Sequence, residues 1–343
     1  MQVGSSSVQP DVPAQLLAQL LASDALESAA AERLNRYLAR DGHDLASLVT
    51  EGGRLPLRCF LEAYPELDGE TAAVLGYTAG EQARLTSFSQ LSLPLVSAGS
   101  VSEALHLLEF IPLISSSLTA RFVTRRDDIV IMLTANSGDA VLDRFPVFYS
   151  AAALGHVLSF LVADAPALTV HIAWPMPAAF KDLPEVVAGR LRFDAPMHHI
   201  VVPRSSLEAV CRFSDPIAYR SAVSGLEAKL AALRSRDDLS TRLRALLDAP
   251  AHLLSIDDAA RQLHLSSSTL RRRLAERGTR FSTLRDQVLK ERALLLMADA
   301  SLNLDAVATE LGYSDITNFS HAFKRWTGQS PGVYRRALTN PVI

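Results

Sequence analysis

Cysteine is scarce in this chain, which has only Cys59 and Cys211 among its 343 residues. The two lie far apart and form no C-x-x-C pair, so a disulfide framework and a cysteine zinc motif are excluded. We expect both to be buried apolar side chains in a reducing compartment. Long apolar runs are also missing, since none reaches the roughly 20 residues of a membrane helix, and residues 1–13 lack the features of a signal peptide. The sequence therefore predicts a cytoplasmic protein with no membrane segment.

Motifs of common enzyme chemistry are absent as well. The 16 glycines are scattered and form no phosphate-binding loop, and there is no G-x-S-x-G elbow and no H-E-x-x-H helix. The adjacent pair His198-His199 is not predicted to bind a metal, because neighbouring residues on a strand point to opposite faces. We therefore predict a protein that is not an enzyme and has no cofactor.

Charge is distributed unevenly along the chain. From residue 250 onward there are 13 Lys and Arg against 9 Asp and Glu, whereas the preceding part has 21 against 28. This asymmetry is typical of a DNA-facing C-terminal domain behind an acidic partner domain that phosphates would repel. The length also exceeds that of one ordinary domain.

A degraded repeat near the C-terminus is the strongest signal. Residues 257–266 return in altered form as residues 305–314, and each copy predicts a short helix, a polar turn and a second helix. Small residues at Ala260 and Ala308 would let two helices cross closely. In the second helices, apolar residues recur at a spacing of four and would face the core of each unit. They are Leu270 and Leu274 in the first copy, and Phe319 and Phe323 in the second.

The outward positions of both second helices carry cationic and hydrogen-bonding side chains. They are Ser267, Ser268, Thr269, Arg271, Arg272 and Arg273 in the first copy, and Thr317, Asn318, Ser320, His321, Lys324 and Arg325 in the second. Such side chains suit phosphates and base edges. A lone basic triplet is more often a solvated face, but its place in a repeated helix-turn-helix pattern favours DNA binding.

The closing segment carries a specific set of residues. It comprises Val307-Ala308, Leu311-Gly312-Tyr313-Ser314-Asp315, Asn318-Phe319-Ser320, Ala322-Phe323-Lys324-Arg325, Gly328, Ser330-Pro331 and Tyr334-Arg335. With these residues, the stretch 233–337 resembles the AraC/XylS-type DNA-binding domain. The resemblance implies two helix-turn-helix units joined by a long helix, here over residues 281–299, that enter successive major grooves roughly 10 base pairs apart.

Base-contacting positions can be carried over from that resemblance. They fall on Ser268, Arg271 and Arg272 in the first unit, and on Thr317, Asn318 and His321 in the second. Arg272 is the strongest prediction, because a bidentate contact to guanine contributes on the order of 1–3 kcal/mol of discrimination. Ser268 is small where relatives often have a bulkier base-contacting residue. His321 stands where an arginine is common in the family. The second unit is therefore expected either to contribute less specificity or to bind more tightly when His321 is protonated.

The first two thirds of the chain mix helices and strands. Helices are predicted over residues 15–48, with a break at Asp41-Gly42, and over 70–76, 101–108 and 145–162. A hairpin over 118–134 turns at Arg126-Asp127-Asp128, a strand spans 168–174, and a second hairpin over 191–202 turns near Ala195-Pro196-Met197.

Four short features match one type of regulator domain. They are Leu75-Gly76-Tyr77, Ser102-Glu103-Ala104-Leu105, Trp174-Pro175 and Leu191-Arg192-Phe193-Asp194-Ala195-Pro196. Residues 23–213 thereby resemble the arabinose-binding type of N-terminal domain of ornithine-utilisation-like regulators, which implies an α+β effector-sensing domain.

Effector contacts are predicted from residue type, because ligand pockets are mostly apolar with a few placed polar groups. The candidates are Arg121, Tyr149, His156, His171 and Trp174. For each there is a structural alternative. A strand arginine such as Arg121 usually points to solvent, and a histidine on an apolar helix such as His156 is usually a core residue.

The fold class predicted is an α+β N-terminal sensor domain followed by an all-α DNA-binding domain with two helix-turn-helix units joined by a long helix. The boundaries are a flexible tail over residues 1–20, an effector-sensing or dimerisation domain over 21–213, a helical linker over 214–232 and the DNA-binding domain over 233–343. Expected partners are double-stranded promoter DNA, a small-molecule effector and a second copy of the chain. Activation through RNA polymerase is implied by the family. An N-terminal domain that only dimerises, without a ligand, remains the alternative.

Overall fold

The computed structural model describes residues 10–22, 26–124, 128–164, 166–183, 190–236, 239–248, 254–276, 279–299 and 301–339. The chain forms two compact units, one running to Leu230 and the other from Ala231. The first mixes helices and strands and the second is helical, which confirms the predicted fold class. No helix within the described ranges is long and apolar enough to span a bilayer.

The first unit contains both helices and strands. Its helices are α1 (Ala14–Ala22), α2 (Ser28–Arg40), α3 (Leu45–Thr50), α4 (Cys59–Ala63), α5 (Gly69–Glu81), α6 (Ser92–Ser97), α7 (Val101–His106), α8 (Arg144–Leu161) and the part of α9 (Pro216–Arg236) up to Leu230, with 3-10 segments at Ser89–Leu91, Leu107–Leu113, Ala178–Asp182 and Arg204–Ser206. The helices predicted over 70–76, 101–108 and 145–162 are confirmed. The helix predicted over 15–48 has the expected break after α2, where Gly42 has a φ of 70°, but residues 26 and 27 are also not helical, which was not predicted.

Close contact between α5 and α8 explains why two positions on α5 are occupied by glycine. A Cβ atom at Gly80 would lie 2.6 Å from the carbonyl oxygen of Tyr149, and one at Gly76 would collide with the carbonyl of Phe145. The backbones can approach this closely only because both positions lack a side chain.

Two sheets lie in the described part of the first unit. In the smaller, β1 (Asp11–Pro13) pairs antiparallel with β2 (Arg54–Pro56). The larger contains β3 (Leu118–Thr124), β4 (Asp128–Ala135), β5 (Thr169–His171), β6 (Leu191–Arg192) and β7 (His199–Pro203), in the order β3-β4-β7-β5-β6. The first predicted hairpin is confirmed in β3 and β4, but Arg126 and Asp127 of its turn lie outside the described residues.

The second predicted hairpin, over residues 191–202, is wrong. Its strands β6 and β7 are separated by β5, which pairs parallel with β6 and antiparallel with β7. The intervening chain crosses the end of β5 instead of turning tightly. There, the Asp194 amide donates to the Trp174 carbonyl (3.1 Å) and the Ala195 amide donates to the Ile172 carbonyl (2.9 Å).

The predicted flexible tail over residues 1–20 is wrong for residues 11–20. These residues form β1 and most of α1, and Val12, Leu17 and Leu20 are buried in a core with Leu34 and Phe60. Pairing of β1 with β2 fixes residues 11–13 against this core. The cysteines are buried as predicted, and burial raises the pKa of the Cys59 thiol to about 12.

Helix α9 covers most of the predicted linker over residues 214–232. The Tyr219 hydroxyl donates to the Glu103 carbonyl (3.0 Å), and Lys229 Nζ donates to Gln90 Oε1 (2.9 Å). Most of this segment is therefore attached to the first unit.

The second unit contains the helices that follow α9. They are α10 (Leu239–Asp248), α11 (Ile256–Gln262), α12 (Ser267–Ala275), α13 (Phe281–Ala298), α14 (Leu304–Glu310), α15 (Ile316–Thr327) and α16 (Pro331–Thr339). One apolar core gathers α10, α11 and α12, and a second gathers α14, α15 and α16. Helix α13 contributes Val288 to the first core and Leu289, Ala293 and Met297 to the second.

Candidate DNA-binding surface

Both predicted helix-turn-helix units are present, and each helix in them begins at a side-chain cap. Ser255 and Ser266 cap α11 and α12, and Asn303 and Asp315 cap α14 and α15. Capping satisfies backbone amides that the helix leaves free. The hydrogen bond from the Asn318 amide (2.7 Å) is the main cause that lowers the pKa of the Asp315 carboxyl.

The turns of the two units share one backbone geometry. The Leu265 amide donates to the Ala260 carbonyl, and the Tyr313 amide donates to the Ala308 carbonyl, both at 2.9 Å. The residue before each amide has a positive φ, 56° at His264 and 84° at Gly312. This is the hydrogen bonding of a Schellman helix end, in which the left-handed residue is usually glycine.

This equivalence predicts opposite effects of two substitutions. His264→Gly should raise the free energy of unfolding of the second unit by about 1 kcal/mol, because a left-handed non-glycine residue costs roughly 1–2 kcal/mol. Gly312→Ala, the matched control, should lower it by a similar amount. Hydrogen exchange of amides in α11 and α14 of the full chain measures both, and stabilisation by Gly312→Ala would contradict the geometry.

One face of each second helix is buried and the other is exposed. Leu270 and Leu274 anchor α12, and Phe319 and Phe323 anchor α15, as predicted. The predicted DNA-contacting residues that are exposed are Ser268, Arg271, Arg272, Thr317, Asn318, His321, Lys324 and Arg325. Arg273 is also exposed, whereas Ser267, Thr269 and Ser320 are half-buried.

The arginines of α12 differ in their surroundings. Arg272 forms an ion pair with Glu276 one turn later, with Nη1 and Oε1 2.6 Å apart. For Arg271, no side-chain partner is found in the described part of the chain. The Arg272 guanidinium is therefore paired with an acidic neighbour, whereas Arg271 is exposed without such a partner among the residues described.

The hydroxyl groups of α12 take part in a network at its N-terminus. Ser267 donates to Asp257, and the Ser266 oxygen lies 2.9 Å from that of Ser268 and 2.8 Å from that of Thr269. Ser267 and Thr269 thus contribute to the helix start, while Ser268 is the exposed hydroxyl that bases could reach.

The polar side chains of α15 also differ in their surroundings. Asn318 Nδ2 donates to Asp315 Oδ2 (2.5 Å), and Arg325 pairs with Asp286 of α13 (3.1 Å). Thr317, His321 and Lys324 have no side-chain partner among the residues described. Three acidic partners of these side chains, Glu276, Asp286 and Asp315, were not predicted from the sequence. Only Glu276 had a clear signal, its spacing of four from Arg272.

The candidate effector residues of the first unit do not form one site. Tyr149 lines an internal cavity, whereas Arg121 on β3 does not. The ring of His156 contacts Phe160 edge-on at 4.8 Å between centroids. His171 stacks on His199 at 4.2 Å.

Trp174 belongs to an aromatic cluster instead. Its ring lies 4.1 Å from that of His198, and the guanidinium of Arg144 lies 5.1 Å from its centroid. Burial, with smaller effects of His199 and Arg144, lowers the pKa of His198 to about 4. The Ala173 amide donates to His198 Nδ1 (3.1 Å), so that this imidazole is neutral and structural. In the described residues, no group of three or more His, Cys, Asp or Glu could hold a metal ion.

Two family models match the chain. One, described as a helix-turn-helix domain, covers residues 259–337. The other, described as the arabinose-binding domain of AraC transcription regulators, covers residues 33–210, about half of the chain. The chain belongs to the AraC family of transcription regulators. Both resemblances drawn from the sequence are thereby confirmed, and the matched domains are regulatory rather than catalytic.

Relatives of this AraC-family chain are named as regulators. It is 35% identical over 188 residues to the ornithine utilization regulator of Pseudomonas aeruginosa, covering 54% of this chain and 56% of that protein. It is 32% identical over 145 residues to the regulator VqsM of the same organism, covering 40% and 43%. These two matches span about half of each relative. The crystal structure of CdpR from Pseudomonas aeruginosa aligns over 92% of this chain and 100% of that chain at 25% identity, with a TM-score of 0.41.

In this AraC-family protein, Glu276 should restrain DNA binding. Glu276→Gln frees Arg272 and removes an anion beside the DNA phosphates, so affinity for a specific duplex should rise about two- to fivefold. Fluorescence anisotropy measures the change in affinity. The control is Glu227→Gln, at an exposed position on α9, which changes the net charge by the same amount. An equal gain in the control, or none in Glu276→Gln, would contradict this role.

Proposed function

We propose that this chain regulates transcription by reading two successive major-groove segments of promoter DNA, with α12 in one and α15 in the next. The observation that carries the proposal is the pair of equivalent helix-turn-helix units on α13, each with its own core and an exposed face of polar and basic residues. Recognition helices of this kind contact bases from the major groove, and neighbouring sites on one face of DNA lie about 10 base pairs apart.

Within this proposal the exposed residues have different roles. Ser268, Arg271 and Arg272 are assigned to base edges in the first segment, and Thr317, Asn318 and His321 to the second. Lys324 and Arg325, near the end of α15, suit phosphates, which fix the register without reading sequence. Ser267 and Thr269 are assigned to the support of α12, because their hydroxyl groups are engaged there.

Selection of bound sites from random duplex DNA by the full chain tests the proposal. Two enriched boxes about one helical turn apart are expected. Binding that is sequence-blind and falls steeply with salt would contradict it, because phosphate contacts alone produce that behaviour.

The proposal includes control of DNA binding by a small-molecule effector in the first unit of a cytoplasmic homodimer, and activation through contact with RNA polymerase. Effector binding would shift a population of arrangements toward one competent for DNA. The arabinose-binding type of the domain and its internal cavity support a sensor over a domain that only dimerises. Sedimentation of the full chain at several concentrations, with and without DNA, tests the dimer.

A relative is named for ornithine utilization, but we do not propose ornithine as the effector here. Its charged groups would need buried counter-charges, and no charged side chain lines the cavity.

A further inference from the structure

The first unit contains a partly open cavity of about 130 Å³. Its walls come from α1, α7, α8, the 3-10 segments at Ser89–Leu91 and Leu107–Leu113, and the chain just before β3. The lining is almost wholly aliphatic and aromatic and contains no Asp, Glu, Lys, Arg or His. Protein interiors are close-packed, so a cavity of this size offers many apolar contacts to a ligand that occupies it.

One wall of the cavity carries the hydroxyl of Ser87. Ser87 is buried, and its oxygen accepts from Gln19 Nε2 (2.7 Å) and from the Arg84 amide (2.6 Å). These bonds occupy both acceptor sites of the hydroxyl. None of the contacts of Ser87 with described residues uses its proton, which is left for a ligand oxygen.

A second wall carries an unused acceptor. The Ser115 hydroxyl donates to the Asp11 carbonyl (2.6 Å), so in its 2.8 Å contact with Ser117 the donor must be Ser117. The oxygen of buried Ser117 accepts no hydrogen bond from the residues that the structure describes. It can therefore accept one from a ligand hydroxyl.

Tyr149 adds a phenol hydroxyl to the lining. Its phenol has no hydrogen-bond partner within the described ranges, and its ring packs beside Phe145, with 6.3 Å between centroids. Burial raises the pKa of Tyr149, so the group stays neutral. The cavity thus offers a few neutral polar groups in an apolar wall, the usual make-up of a small-molecule site.

Size and lining together define the ligand. An apolar cavity of roughly 150 Å³ holds a molecule the size of benzene. A charged group would lose its hydration here without a counter-charge. We propose, on the basis of the effector control above, that this cavity is the effector site and takes a small uncharged molecule, an alkyl chain or ring of about six heavy atoms with one hydroxyl or carbonyl oxygen.

Three probes of equal chain length test the proposal: 1-pentanol, pentanoate and pentylammonium. Binding to the full chain is measured by saturation-transfer NMR, which detects weak ligands. Saturable binding of 1-pentanol is expected, with binding of both ions weaker by at least about tenfold, because each would bury a charge. Equal binding of an ion, or no binding of 1-pentanol, would overturn the proposal.

Variants locate the binding. Ala153→Leu on α8 and Ala104→Leu on α7 fill the cavity from different helices. The matched control is Ala29→Leu, at an exposed position on α2. Either filled variant that keeps the wild-type circular dichroism should lose 1-pentanol binding. Ser87→Ala and Ser117→Ala should each weaken it about three- to tenfold, the effect of one hydrogen bond. Unchanged binding in all four would place the probe elsewhere and overturn the proposal.

A separate readout distinguishes the ligand site from effector control. Anisotropy with a specific duplex, with and without saturating 1-pentanol, reports whether the occupied cavity changes DNA affinity. Binding that is lost in Ala153→Leu supports the assigned ligand class even if DNA affinity does not respond. In that case, it is the effector part of the proposed function that fails.

Discussion

Phe323→Ala is expected to destabilise the second helix-turn-helix unit by about 3–5 kcal/mol. The Phe323 side chain is fully buried, and its ring centroid lies 5.5 Å from that of Phe319 and 5.2 Å from that of Tyr334. Truncation removes these contacts and leaves a cavity among α14, α15 and α16 that large rings cannot readily fill.

The loss should be confined largely to one unit. The core around Leu270 shares α13 with the core around Phe323 but has its own apolar residues. Hydrogen exchange of the full chain should therefore show faster exchange in α15 than in α12. Val333→Ala, at an exposed site on α16, is the control and should leave both rates nearly unchanged. Equal acceleration in α12 and α15 would show that the two cores unfold as one.

Arg272→Ala is expected to relax base preference at one position of the first box, with a loss of about 1–3 kcal/mol of discrimination. Arginine can donate two parallel hydrogen bonds to guanine O6 and N7, which alanine cannot replace. To make this contact, the guanidinium must first leave its ion pair with Glu276.

Two matched variants distinguish hydrogen bonding to base edges from electrostatic attraction to the phosphates. Arg272→Lys keeps the charge but loses the two-pronged geometry, so it should also relax the same position. Lys324→Ala should weaken all sequences about equally and lower the salt dependence. Site selection with each variant gives the comparison. An Arg272→Ala motif identical to that of wild type, with uniformly lower affinity, would reassign Arg272 to phosphate contact.

The helices of the second unit could be predicted because residues close together in the sequence specify them. Helix α13 was expected over residues 281–299 and spans Phe281–Ala298. Apolar spacing and helix caps are written within a few residues of one another, so the sequence alone indicates them. The two errors in the first unit have a non-local cause. Strand β1 pairs with β2 more than 40 residues away, and β5 enters between β6 and β7.

The same distinction applies to the candidate sites. The exposed polar faces of α12 and α15 could be predicted, because the spacing of the apolar residues shows which face of each helix is buried. The pairing of Arg325 with Asp286 could not, because it joins residues 39 apart and produces no pattern in the sequence. Of the five proposed effector residues, only Tyr149 reaches the cavity. Ser87 and Ser117 were missed because a serine becomes informative only when its hydrogen-bond partners are known.

Hydroxyl-radical footprinting of the full chain on its selected site tests the central claim most directly. Two protected windows on one face of the duplex, centred about 10 base pairs apart, are expected, and Phe323→Ala should remove one of them. A single window, or two windows that both persist in Phe323→Ala, would contradict the assignment of α12 and α15 to successive major grooves.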